Sequence, residues 1–291
     1  MTKRMPARLL ALSTAVTAIV AAGAMGLSAA GAGTSVHTTV PSRARGADQA
    51  AIGGRFSVVR APSFTIGPTA NISKKAGAQS ETTVAIDPTD PLHLLAAIND
   101  LTTPNCCTAR LYESVDGGRT WADAGVGAPL NLACYDPWAD FNANGDAFFA
   151  YECGDQRIAY RKVGETTWTN TVLVPSGPFP DRDMVVTDDT ATSPFSGSVY
   201  VGYDEASFNN AAHLVYSRDG FGGWVKSPKI NDTSATIGVN AAVGPDGTVY
   251  ATWEDFGGGR LVTDRSTDGG ATWATDHTVH TFRLSTASFF I

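Results

Sequence analysis

An all-β fold, a β-propeller of four-stranded antiparallel blades with four blades recognisable, is predicted by three features of this 291-residue sequence. Alternating Val, Tyr, Phe and Thr residues run between Asp-Gly, Asn-Gly and Pro-Asp-Gly turns, the pattern of strands joined as hairpins. Trp121, Trp168, Trp224 and Trp273 recur at gaps of 47, 56 and 49 residues. Four segments of strand, polar turn and second strand end at Asn99, Glu152, Asp204 and Glu254, spaced by 53, 52 and 50 residues. Two independent markers thus agree on one period, and two hairpins per period make a blade of strands A to D.

Taken in order, the chain opens with Lys3, Arg4 and Arg8, an apolar run from Leu9 to Leu27, and Ala30-Gly31-Ala32 as a cleavage site. This layout predicts a signal peptide over residues 1–32 and hence a secreted protein. Residues 33–55, rich in Gly, Ala, Ser and Thr, read as a flexible leader. The propeller is expected over 56–281, with blades at 79–126, 134–176, 180–230 and 236–280 and a tail at 282–291. Residues 56–66, "FSVVRAPSFTI", read as a strand able to complete a last blade.

Without residues 1–32 the chain carries 18 basic and 28 acidic residues, a net charge of −10. Such a protein is repelled by nucleic acid and by anionic membranes, which excludes both as natural partners. The five histidines form no spaced cluster, and no phosphate loop, serine nucleophile elbow or zinc motif is present. No metal site or cofactor is read from such motifs.

"SVDGGRTW" at 114–121 returns as "STDGGATW" at 266–273, each between strands C and D of its blade. The roles open to these residues are structural. Gly118 and Gly270 loosen the turn backbone, and Asp116 and Asp268 accept hydrogen bonds from it. Ser114, Thr120, Ser266 and Thr272 tie the strand ends, while Trp121 and Trp273 bury their rings between sheets. The two octapeptides resemble the Asp-box, or bacterial neuraminidase repeat, of sialidase-like β-propellers. "SRDGFGGW" at 217–224 resembles a worn copy, and "RKVGETTW" at 161–168 keeps only Thr167 and Trp168. The resemblance spans residues 79–280. Propellers of that family have six blades, so four predict a truncated relative. The family also places ligands on the face of the B–C and D–A connections, away from the octapeptides.

On that face fall Cys106, Cys107, Cys134 and Cys153, four cysteines within 48 residues. In a secreted chain they predict disulfides. Pairing of the strands around "NANGD" sets Cys134 nearly opposite Cys153. Two outcomes stay open: a 134–153 bridge alone, or two bridges joining the 106/107 pair to 134 and 153.

The resemblance implies a set of arginines for a sialate carboxylate, a Tyr–Glu nucleophile and an Asp acid/base. The family's Arg-Ile-Pro motif has no counterpart in "ETTVAIDP", and no residue here inherits the nucleophile. Arg110, Arg157 and Arg260 begin strand C, far from the axis; Arg182, flanked by Asp181 and Asp183, enters strand A. The ends of strand B carry Glu152, Asp204, Glu205, Glu254 and Asp255, with Asp100 and Asp136 nearby. Such a rim repels an anion and suits Ca²⁺, a cationic group or neutral sugar hydroxyls. The same acids also read as caps on loop N–H groups. Trp138 and Tyr135 are candidates to stack on a sugar ring. Tyr151 shares that rim, whereas Tyr203 and Trp253 read as core.

The candidate ligand face is therefore Asp136, Trp138, Glu152, Arg182, Asp183, Asp204, Glu254 and Asp255. The expected function is binding of glycan or another surface ligand without catalysis. The alternatives are an exo-α-sialidase-type glycosidase and a protein-interaction scaffold.

Overall fold

The computed structural model describes residues 69–283, apart from 104–106, 127–131, 178–179, 207–209 and 234, together with all side chains in that span except that of Asp183. The expected signal segment, leader, strand at 56–66, Cys106 and residues 284–291 lie outside the described residues.

Among the described residues, sixteen strands form four sheets. The first contains β1 (Gln79–Ile86), β2 (Leu94–Asp100), β3 (Thr108–Ser114) and β4 (Ala122–Asp123). The second contains β5 (Tyr135–Phe141), β6 (Ala147–Glu152), β7 (Gln156–Arg161) and β8 (Thr169–Val174). The third contains β9 (Pro180–Thr187), β10 (Val199–Glu205), β11 (Ala211–Ser217) and β12 (Val225–Lys226). The fourth contains β13 (Thr236–Val243), β14 (Val249–Asp255), β15 (Arg260–Ser266) and β16 (His277–Thr281). Within each sheet the strands are antiparallel and lie in sequence order. The inner strands β1, β5, β9 and β13 pack side by side in that order, while no comparable packing joins β13 to β1. The sheets thus follow one another around an axis as a β-propeller-like arc that is not closed among the described residues.

The core lies between sheets. Along β6, Ala147, Phe149 and Tyr151 pack against Leu95, Ala97 and Leu111 of the first sheet. The alternate residues Phe148 and Ala150 pack against Val185, Val199 and Val201 of the third. A strand buried on both faces needs apolar residues at both parities, which is why "AFFAY" does not alternate. In β14 the neighbour among the described residues is on one side only, and burial alternates: Val249, Ala251 and Trp253 are buried while Tyr250 is exposed.

Both octapeptides join the third and fourth strands of their sheets. Ser114 Oγ accepts from Gly118 N at 2.9 Å, and Asp116 accepts from Thr120 N at 2.8 Å and Thr120 Oγ1 at 2.6 Å. Ser266, Asp268, Gly270 and Thr272 repeat these bonds at 2.8, 2.8 and 2.5 Å. Those bonds hold the carboxyls of Asp116 and Asp268 down at about 2. Trp121 donates from Nε1 to Gly118 O at 3.0 Å, and Trp273 packs on the core of the last two sheets. In the third sheet Ser217 and Asp219 keep the turn, and Phe221 N takes the place of the missing Thr donor at 2.9 Å.

Cys134 and Cys153 form a disulfide with Cα atoms 4.2 Å apart. This rules out the expected alternative in which each bonded to the 106/107 pair. Its cause is register: β5 and β6 end on the pair Tyr135–Glu152, so the next residue on either strand is a cysteine.

Two sheets approach closely at Gly202, where a Cβ would collide with the carbonyl oxygen of Val239 on the neighbouring sheet. Gly202→Ala should therefore destabilise the chain by about 1–3 kcal/mol, read as a lower denaturant midpoint with an unchanged slope. A midpoint equal to wild type would refute this packing.

Candidate functional site

All four inner strands carry the same irregularity. Two residues of the inner strand face one residue of its partner: 81–82 face Ile98, 136–137 face Tyr151, 182–183 face Tyr203, and 238–239 face Trp253. The first residue of each bulge has a left-handed backbone, with φ of 52° at Glu81, 50° at Asp136, 59° at Arg182 and 70° at Gly238. Glycine adopts this conformation freely; a side-chain-bearing residue holds it at a cost of about 1–3 kcal/mol. Bulges re-aim side chains. Here they bring three charged residues from three sheets to one place.

That place is a cavity of about 140 Å³ between β1, β5 and β9, lined among others by Glu81, Thr83, Asp136, Trp138, Arg182 and Met184. Asp136 Oδ2 accepts from the backbone N of Arg182 at 3.0 Å, which links the second bulge to the third. Asn99 Nδ2 donates to Glu81. Carboxyls crowd the site. Asp136 has the carboxyls of Glu81 and Asp181 as close neighbours. Glu152, 9% exposed, adds an oxygen, Oε2, that is buried without a hydrogen-bond partner among the described residues.

Burial first, and mutual repulsion second, raise these groups. Asp136 is pushed up to about 6 by burial and by Glu81. Asp204 rises to about 7 by burial, against a hydrogen bond from Asn210 and with the Asp181 charge adding. Glu152 rises to about 9 by burial and the charges of Asp136, Asp181 and Asp204, and Asp181 also rises. Each is a carboxyl for which the charged form is the costly one.

The other predicted residues divide. Trp138 lines the cavity and also packs on the core between the second and third sheets. Asp204 adjoins the cluster and accepts from Asn210 Nδ2 at 3.0 Å. Asp255 does not: it pairs with Arg260 and accepts from Gly258 N at 2.8 Å. Asp100 is held by Lys75 and by Arg110 Nε at 2.8 Å, and Glu205 by Lys226. Glu254 is half-buried opposite Ile237, away from the cavity lining. Asp183 lies in the third bulge, with its side chain outside the described set. Arg110, Arg157 and Arg260 each bind an acid of their own sheet. Tyr151, Tyr203 and Trp253 are fully buried opposite the bulges.

The sequence reading missed Glu81 and did not rank Asp181. The signal for Glu81 was present: "ETTV", "DPWA", "RDMV" and "GVNA" start at 81, 136, 182 and 238, near the blade period.

No protein family matches the sequence, and no curated protein is similar to it. Solved structures are similar in fold. The leech intramolecular trans-sialidase, solved with 2,7-anhydro-Neu5Ac, is 10% identical with a TM-score of 0.55, over 74% of this chain and 53% of that one. The NanB sialidase of Streptococcus pneumoniae is 11% identical with a TM-score of 0.55, over 76% and 55%. A protein of unknown function from Dyadobacter fermentans is 15% identical with a TM-score of 0.53, over 69% and 68%. The chain spans about half the length of the two sialidases. At these identities the likeness is one of fold, and the fold is sialidase-like.

The raised carboxyls set the sign of a pH effect. A carboxyl with a raised folded pKa contributes stability that is complete below its unfolded value and lost as pH rises through its folded value. In buffer free of divalent cations, the melting temperature should fall from pH 5 to pH 9, across the values of Asp136, Asp204 and Glu152. Glu152→Gln should flatten the fall between pH 7 and 9. A wild-type melting temperature that rises over this range would contradict the cluster.

Proposed function

We propose that this chain is a secreted carbohydrate-binding protein with a sialidase-superfamily fold, whose cavity between β1, β5 and β9 takes the edge of an uncharged sugar. The observation that carries this reading is the convergence of Glu81, Asp136 and Arg182 from three bulges beside the indole of Trp138. Carboxylates accept from sugar hydroxyls, a guanidinium donates to ring and hydroxyl oxygens, and an indole offers an apolar edge. At about 140 Å³ the hollow is smaller than the roughly 300–1,000 Å³ of clefts that enclose small ligands, which fits one ring edge of a larger glycan. A sialate is a poor fit. Its carboxylate calls for several guanidiniums, and Arg110, Arg157 and Arg260 are each engaged by an acid. The partner is then a soluble or cell-surface glycan. The Cys134–Cys153 disulfide is consistent with an extracellular setting.

A glycan array should show signal for neutral glycans above their sialylated counterparts, and Trp138→Ala or Asp136→Ala should weaken it about tenfold or more. A blank array from protein with native circular dichroism would sink this reading and favour a protein-binding scaffold.

One observation favours a second reading. The general acid of a glycoside hydrolase requires a carboxyl raised above the usual carboxylate range, and burial and Glu81 raise Asp136 to about 6. Under the binding reading, no fluorophore is released from a sialic-acid conjugate. Turnover that is lost on Arg182→Ala would instead establish the exo-sialidase alternative.

A further inference from the structure

We propose that Asp136, Glu152 and Asp181 form a calcium site at the axial end of β5, β6 and β9. One oxygen from each of the three carboxyls can be chosen so that all lie within 4.8 Å of one another. Oxygens bound to one Ca²⁺ at about 2.3–2.6 Å cannot be further apart than twice that distance, and these satisfy the limit. Asp136 and Asp181 come from neighbouring inner strands, and Glu152 from the end of the strand that pairs with β5. The three therefore belong to two sheets, and a shared ion would cross-link them.

The second observation is independent of the clustering. Glu152 is more than nine-tenths buried, and its Oε2 has no hydrogen-bond partner among the described residues. The guanidinium of Arg182, the cation nearest in sequence to Asp181, does not satisfy that oxygen. A buried carboxylate oxygen without a donor is costly, and structures that keep one have a reason for it. A divalent cation supplies the missing partner and offsets the repulsion among the three acids.

The donor set selects the ion. All three ligands are carboxylate oxygens, with no histidine or cysteine among them, which favours a hard cation over zinc or copper. Calcium accepts an irregular set of six to eight oxygens, so backbone carbonyls and water can complete it. Magnesium demands a near-ideal octahedron. The bulge at Asp136 makes the site possible. With regular pairing the side chain at 136 would follow the strict alternation of β5.

This inference does not depend on the ligand being a carbohydrate, because the metal alone is the probe. The full chain, stripped with EDTA and dialysed, is titrated with CaCl₂ by calorimetry and melted with and without the ion. The expected result is saturable binding, and a melting temperature raised by about 5–10 °C at a calcium concentration about 100 times the Kd. Glu152→Gln should lose the shift yet melt no lower than wild type in EDTA, because the amide is uncharged at every pH and adds no repulsion to the cluster. Asp181→Asn should bind at least about tenfold more weakly, and the exposed Glu165→Gln should respond as wild type.

Absence of heat and of any shift in the wild type, through the roughly millimolar range of weak extracellular sites, would overturn the proposal without any variant having to fold. The cluster would then be neutralised by shared protons, with the carbohydrate reading left standing. A full shift retained by both Glu152→Gln and Asp181→Asn would place the ion elsewhere. An equal or larger response to MgCl₂ would overturn the assignment to calcium.

Discussion

Each inner strand has one more residue than its partner can pair, and the position of that surplus residue decides where the charged groups of the axis go. At Glu81, Asp136 and Arg182 the backbone turns left-handed to absorb it, and the side chain is carried out of the alternating pattern. In the fourth sheet the same geometry is met by Gly238, which holds it without strain and offers no side chain. The repeat thus fixes a backbone shape four times and fills it with chemistry three times. Opposite each bulge lies a large buried residue, Ile98, Tyr151, Tyr203 or Trp253, which fills the space between sheets behind the distortion. Strain at the front is supported by packing at the back, the usual condition for strained residues to persist.

At the octapeptide end, hydrogen bonds hold several carboxyls ionised: Asp116 and Asp268 by turn donors, and Asp87 by Thr89 and His93 in spite of its burial, while burial pushes Asp140 up to about 6. Glu113 there joins His93 Nε2 at 2.6 Å and Arg161, which ties the first sheet to the second. At the axial end, Glu81, Asp136, Glu152, Asp181 and Asp204 face one another, with Arg182 as the cation beside them. Asp100 and Asp255 at that end are paired with Lys75, Arg110 and Arg260, whereas burial and mutual repulsion raise the carboxyls of this cluster.

That contrast also explains what could be read from the sequence. The octapeptides act within eight residues, so Ser, Asp, Thr and Trp at fixed spacing disclose their bonds. The period of the strands was legible because every copy needs the same turns and the same buried residues. Register was legible in β5 and β6, where the short "NANGD" turn sets it and so brings Cys134 to Cys153. The site was less so. The residue types Glu, Asp and Arg do not disclose a left-handed backbone; only Gly238, at the same place in the repeat, hints at it. One unpaired residue turns the side chains beyond it, so neither Glu81 nor the placing of Asp136 follows from alternation. The pairing of Arg110, Arg157 and Arg260 with acids of their own sheets depends on where strands end in space.

The same geometry bears on the likeness to sialidases. A fold that arranges inner strands around an axis supplies positions, and the residues at those positions decide the charge of the ligand. Here the positions made special by the bulges hold two acids, one base and one glycine. Around them stand Glu152, Asp181 and Asp204, all with carboxyls shifted toward the neutral form. An anion entering this space would have to overcome several carboxyls with one guanidinium to help it. A cation would meet acceptors already in place, and its charge would relieve their repulsion. The fold is sialidase-like, and the acidic character of its axis lies in Glu81, Asp136, Glu152 and Asp181 rather than in the repeated octapeptide that first reveals the fold.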